Sequence, residues 1–185
     1  MVYILLGQGF EEAEALVTAD VLRRGGVSVD LTGIGGITVE GAHGIQVTAD
    51  VAVERVRLAA GDTVILPGGM GGVASIEGSR AAMELIHQAA ADDSMYLAAI
   101  CAAPTLLARA GIIGKGQQAI CYPGMEDELT AAGAEAPMEQ SAVVCGKLVT
   151  SKAPGTAYDF ALTLLAVLTD CQTAEAVRAG LHYRP

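Results

Sequence analysis

The chain has 185 residues, 52% of them hydrophobic, with 23 glycines and a net charge of −10. This length suits one domain with a substantial core, expected over residues 1–185. The negative charge argues against nucleic acid or an acidic lipid surface as a partner, because both would be repelled.

Val2 to Leu6 is a continuous apolar run, as expected of a strand covered on both faces. The opening MVYILLGQGFEEAEA has no charged leader and soon turns acidic, which argues against a signal or transit peptide. Glu11 to Arg24 reads as a helix, acidic at its start, basic at its end and stopped by Gly25 and Gly26. Val27 to Leu31 follows as a second strand, so the chain opens with a βαβ unit and a parallel sheet. Ile37 to Val39 and Ile45 to Thr48 flank EGAHG and predict a small antiparallel hairpin.

Asp62 to Leu66 reads as a buried strand ended by PGGMGG, Ser79 to Ala91 as a helix, and Tyr96 to Ile100 as another buried strand. Thr105 to Ala110 has helical character, Gln118 to Cys121 reads as a short strand, and Glu126 to Ala132 as a short helix closed by Gly133. Ala142 to Cys145 and Lys147 to Thr150 pair as strands, and Thr156 to Leu168 and Thr173 to Ala179 are helices. The apolar run Phe160 to Leu168 is too short to span a bilayer. No membrane partner is therefore expected, and the expected location is cytoplasmic. The alternation of strands and helices predicts a doubly wound α/β sandwich with its site at the carboxyl ends of the strands.

Three segments fall at that edge: GQGFEEAE, PGGMGG and CAAP. Gly7-Gln8-Gly9 lacks the third glycine of a dinucleotide loop and is followed by acidic residues that repel pyrophosphate. PGGMGG lacks the ending of a P-loop; it is either a plain tight turn or a pair of glycines, Gly68 and Gly69, whose amides approach a reacting oxygen. Cys101 ends a strand and is followed by Ala102, Ala103 and Pro104, which allow a sharp turn into a helix. Free amides there favour a thiolate, although a small buried hydrophobe is the commoner fate of a cysteine. Glu14 lies at the margin of the first helix's buried stripe, where desolvation would raise its pKa; complementing the helix dipole is the plainer role for Glu11, Glu12 and Glu14 alike. Tyr122, His43 and the SKAPGTAYDF segment place polar groups near loop edges, with solvation as the default. Cys101, Cys121, Cys145 and Cys171 show no CxxC spacing and pair with none of the histidines, so free thiols, no metal and no cofactor are expected.

Taken in order, VYILLGQGFEEAEA, VILPGGMGG, LAAICAAPTLLARAG and LVTSKAPGTAYDFAL resemble the ThiJ/PfpI superfamily over nearly the whole chain, and within it the DJ-one branch. The fit is loosest over residues 134–144 and beyond Ala179. The resemblance implies a flavodoxin-like sandwich related to the class I glutamine amidotransferases. It also implies a homodimer and a reactive cysteine at a nucleophile elbow. By position it makes Cys101 the reactive residue, Glu14 its protonated partner, and the amides of Gly69 and Ala102 the oxyanion donors, with Gly68, Tyr122 and His43 lining the site. Tyr122 stands where human-type members have a histidine, and His43 where many carry an arginine that reaches across the dimer.

The peptidases of this superfamily place a histidine directly after the cysteine, where this chain has Ala102, and the amidotransferases use a later His-x-Glu that it lacks. The resemblance therefore points to a glyoxalase or deglycase acting on small reactive aldehydes. The alternative is a non-enzymatic oxidative-stress sensor or redox chaperone acting through oxidation of Cys101.

Overall fold

The computed structural model describes residues 1–184. In chain order the elements are β1 (Val2–Leu6), α1 (Glu12–Arg24), β2 (Val29–Gly33), β3 (Thr38–Glu40), β4 (Gln46–Thr48), β5 (Val51–Ala52), β6 (Thr63–Leu66), α2 (Met70–Glu77) and α3 (Arg80–Ala91). They continue with β7 (Tyr96–Ile100), α4 (Ala103–Arg109), α5 (Glu126–Ala131), β8 (Ala142–Cys145), β9 (Leu148–Ser151), α6 (Ala157–Leu168) and α7 (Cys171–Gly180).

Seven strands form one sheet in the order β5-β2-β1-β6-β7-β9-β8. All its pairings are parallel except the β8–β9 hairpin. The expected doubly wound, flavodoxin-like sandwich is thus the fold. Its central strands β1, β6 and β7 are almost wholly apolar because helices cover both faces: α1, α6 and α7 on one, α2 to α5 on the other. The chain builds outward from β1 to β2 and β5, then returns to the far side of β1 at β6. This reversal leaves a crevice above the carboxyl ends of β1 and β6, where ligands bind in open α/β sheets. No described helix is long and apolar enough to cross a membrane.

Several elements differ from expectation. The second strand starts at Val29, two residues late, because Val27 N–H closes the end of α1 on the Leu22 carbonyl at 3.0 Å. Helix α2 was not predicted, since its MGG start has poor helix propensity; tertiary packing of its glycines against the backbone of Gly9 and Phe10 overrides that preference. Edge strand β5 was likewise unpredicted. Gln118 to Cys121 makes only an isolated bridge from Gln118 to Glu135. Ile120 N–H donates instead to Thr150 Oγ1 at 3.0 Å, and just beyond the segment Tyr122 N–H donates to the Cys101 carbonyl at 2.8 Å.

Candidate active site

The turn between β7 and α4 consists of Cys101 and Ala102 alone. Cys101 has φ = 65°, a left-handed conformation that L side chains rarely adopt. Its N–H donates to the Ser151 carbonyl at 3.0 Å, and its own carbonyl accepts from Tyr122 N–H at 2.8 Å. Bonds on both sides of the residue hold this strained turn, which aims the half-buried thiol into the crevice.

Glu14 reaches the same point from the first turn of α1. It is 1% exposed, and its Oε2 accepts from Gly68 N–H at 2.7 Å. The Gly68 carbonyl in turn accepts from Glu11 N–H at 3.0 Å, so this one residue fastens the β6 loop to the start of α1. A Cβ on Gly68 would lie 2.5 Å from Cys101 Cβ and 2.8 Å from Glu14 Oε2, which is why only glycine fits between thiol and carboxyl. The amides of Gly69 and Ala102 and the Glu14 carboxyl all act on the Cys101 sulfur, the amides favouring the thiolate and the carboxyl the thiol. The structure thus brings together Cys101, Glu14, Gly68, Gly69 and Ala102.

Gly69 adopts φ = 82°, and a Cβ there would come within 2.4 Å of the Gly9 carbonyl oxygen. Gly69→Ala is expected to destabilise the chain by about 2–5 kcal/mol, combining left-handed strain with overpacking, and to slow alkylation of Cys101. Urea unfolding checks this; a wild-type midpoint would show that the loop can move aside.

Burial is the first cause of the proton affinities here. It raises Glu14 from 4.5 to about 7 against the opposing Gly68 and Cys101 hydrogen bonds. Burial also raises Cys101 to about 12, followed by the charge and hydrogen bond of Glu14; the Gly69 and Ala102 amides oppose this without outweighing it. The elbow amides alone therefore do not produce the free thiolate expected from sequence. The pair loses one proton at about 7 and the second only at about 12, because the second ionisation sets thiolate beside carboxylate in a buried site. With one proton left, these affinities keep it on the sulfur and leave Glu14 as the neighbouring carboxylate that can take it.

The remaining candidates have other roles. Tyr122 fastens its loop to the elbow through its backbone, while its side chain stays exposed. His43 is bound to Glu12, with its N–H on Glu12 Oε1 at 2.7 Å and its Nδ1 2.8 Å from Oε2, and no contact joins it to Cys101 within the chain. Glu12 is therefore more than a dipole partner: it is buried and anchors the β3–β4 turn. Burial alone would raise its pKa, but the His43 hydrogen bonds lower it, and the same contact raises that of His43. Glu11, Glu12 and His43 are the group of metal-type ligand atoms found within 4.8 Å of one another among the described residues. Glu12 and His43 spend those atoms on each other, and all three sit at the positive end of α1, which disfavours a cation.

Ser151 was not singled out, and the SKAPGT segment is not merely solvated. Ser151 is buried, its carbonyl holds the elbow, and its hydroxyl donates to the Ser141 carbonyl at 2.6 Å beside Thr156 Oγ1 at 2.8 Å. The signal was its place at the end of the strand adjoining β7.

A strained thiol elbow at the switch point of a doubly wound sheet, faced by a buried carboxyl, defines a cysteine-centred α/β protein of the flavodoxin-like class. The DJ-1/PfpI family profile matches residues 1–167, and the chain belongs to that family. It is 35% identical over 179 residues to Protein dj-1beta of Drosophila melanogaster, covering 96% of this chain and 94% of that one. The crystal structure of Drosophila melanogaster DJ-1beta matches with a TM-score of 0.90 at 33% identity, covering 100% of this chain and 98% of that one. Glutathione-independent glyoxalase DJR-1.2 of Caenorhabditis elegans is 34% identical over 158 residues, covering 85% and 82% of the two chains.

Proposed function

We propose that this chain is a cofactor-independent, cysteine-dependent glyoxalase that converts methylglyoxal or glyoxal to lactate or glycolate, with a deglycase reaction on glycated thiols or amines open to the same residues. One observation carries this reading: the buried Glu14 carboxyl, fixed on Gly68 N–H, faces the Cys101 thiol at a strained elbow beside the Gly69 and Ala102 amides. The glyoxalase name of the Caenorhabditis elegans relative supports it.

Cys101 passes its proton to Glu14, and the resulting thiolate attacks the aldehyde carbon and forms a C–S bond. The alkoxide is stabilised by the Gly69 and Ala102 amides and takes the Glu14 proton, giving a neutral hemithioacetal. Glu14, now a carboxylate, removes the proton from the sulfur-bearing carbon and returns it to the neighbouring carbon, while the hydroxyl proton passes to the adjacent carbonyl oxygen, leaving the thioester of the 2-hydroxy acid. Water cleaves the thioester, releasing the 2-hydroxy acid and the thiol. The reaction consumes one aldehyde and one water and needs no oxidant. Near-neutral proton affinity suits Glu14 to both giving and taking a proton.

The same donors would hold the oxygens of an oxidised Cys101, and the half-buried thiol is open to peroxide, which supports redox sensing as the second reading. One experiment separates the two. Purified chain is incubated with methylglyoxal without glutathione, lactate is followed by NMR, and the intact protein mass is taken afterwards. Many lactates per chain with Cys101 still a free thiol is the expected result. No lactate above buffer overturns the glyoxalase. We also propose a homodimer as the working unit, supported by exposed Ile37 and Ile45 on the β3–β4 hairpin beside half-buried Leu16 and Val17 of α1.

A further inference from the structure

Three segments build the site, and each leads into a helix. Gly69 caps α2, Ala102 caps α4, and the Tyr122 loop leads into α5. Behind the site, one side chain touches all three helices. Arg109, the last residue of α4, grips Glu77 at the end of α2 with two parallel bonds, Nε to Oε1 at 3.2 Å and Nη2 to Oε2 at 3.1 Å. Its Nη1 donates to Glu128 Oε2 on α5 at 2.7 Å and to Thr105 Oγ1 at 3.0 Å. Thr105 is buried and its hydroxyl donates to the Ala102 carbonyl at 2.8 Å, so a chain of two hydrogen bonds runs from the guanidinium to the elbow residue itself.

We infer that Arg109 is a positioning residue, which sets the spacing of the Gly69 and Ala102 amides about the Cys101 sulfur by clasping α2, α4 and α5 at one point behind the site. The inference rests on Cys101 being the reactive group, but not on which aldehyde it takes. The guanidinium fork is essential to it: two planar N–H pairs serve different helices, and a lysine ammonium cannot reproduce that geometry. The ion pairs are about half exposed, so they contribute little to global stability. Their leverage lies in alignment, since a shift of donors relative to the reacting atom is felt strongly in rate.

The test compares wild type with Arg109→Lys, Arg109→Gln and Glu77→Gln. It measures kcat and KM for methylglyoxal, the pH profile of Cys101 alkylation by iodoacetamide, and the urea midpoint. Both Arg109 variants are expected to lose about tenfold in kcat with KM within about twofold. Their alkylation step should move up by about half a pH unit or more, because the thiolate loses well-aimed donors. Glu77→Gln, which releases only α2, should move the profile in the same direction by less. A folded Arg109 variant with kcat and alkylation profile both unchanged overturns the inference, as does full rescue by lysine. If wild type forms no lactate, the glyoxalase reading fails while the alkylation profile still decides the role of Arg109. If neither Arg109 variant folds, Glu77→Gln decides it by the same profile.

Discussion

Replacing Glu14 by glutamine is expected to cut lactate formation by about 10²–10⁴-fold while making the folded chain more stable at pH 8. Glutamine fills the same volume and offers Gly68 N–H an acceptor, but it neither takes nor returns a proton. The stability effect follows from the titration of the native residue. Folding raises the Glu14 pKa from 4.5 to about 7, so the folded chain binds more protons than the unfolded chain between those values. Stability therefore falls as pH rises through that window and levels off above about 7. The loss amounts to about 3 kcal/mol, and the glutamine variant does not incur it. Urea unfolding at pH 5 and pH 8 checks this: the wild type should weaken between the two, and the variant should not. Alkylation of Cys101 should also set in at lower pH in the variant, because the Glu14 charge that raises the thiol is gone. A variant that tracks wild type at both pH values would mean that Glu14 is ionised and hydrated in the folded chain.

The three carboxylates at the start of α1 show how far the sequence could be read. Glu11, Glu12 and Glu14 are the same chemistry within one helical turn, and dipole complementation accounts for all of them equally well. The fold separates them. Glu12 turns toward the β3–β4 hairpin and His43, while Glu14 turns under the β6 loop to the thiol. Neither destination is local, so no spacing within the helix reveals it; the buried stripe marked Glu14 for a raised pKa, and only the resemblance paired it with the thiol. Strands β1, β6 and β7 were legible because a strand covered on both faces must be apolar throughout. Helix α2 was not, because its glycines are demanded by contacts with residues about sixty positions earlier. The elbow was half legible. A cysteine after a buried strand and before Ala-Ala-Pro announces a turn, but the left-handed backbone at Cys101 carries none of the usual Gly or Asn signal. Arg109 is likewise silent in sequence, since its partners Glu77 and Glu128 come from two separate helices.

Removing the thiol is expected to abolish turnover altogether, and the choice of replacement tests whether the elbow is strained. Cys101→Ala and Cys101→Gly should both reduce lactate formation to the rate in buffer and leave no iodoacetamide adduct at position 101. Their stabilities should differ in an unusual sense. Glycine normally weakens a fold relative to alanine by enlarging the unfolded ensemble. At φ = 65°, however, alanine keeps the clash of its Cβ with the neighbouring carbonyl, at about 1 kcal/mol or more, and glycine does not. Cys101→Gly should therefore unfold at the higher urea concentration; an alanine variant as stable or more stable would show that the turn is relaxed. Strain at Cys101 and burial of Glu14 are two local costs to stability borne by the same site, and each is removed by a substitution that stops turnover. Gly69→Ala, by contrast, should lower stability and reactivity together, because Gly69 relieves strain where Cys101 holds it. Opposite signs at positions 14 and 101 with a common sign at 69 would mark the first two as residues kept for chemistry and the third as one kept for shape.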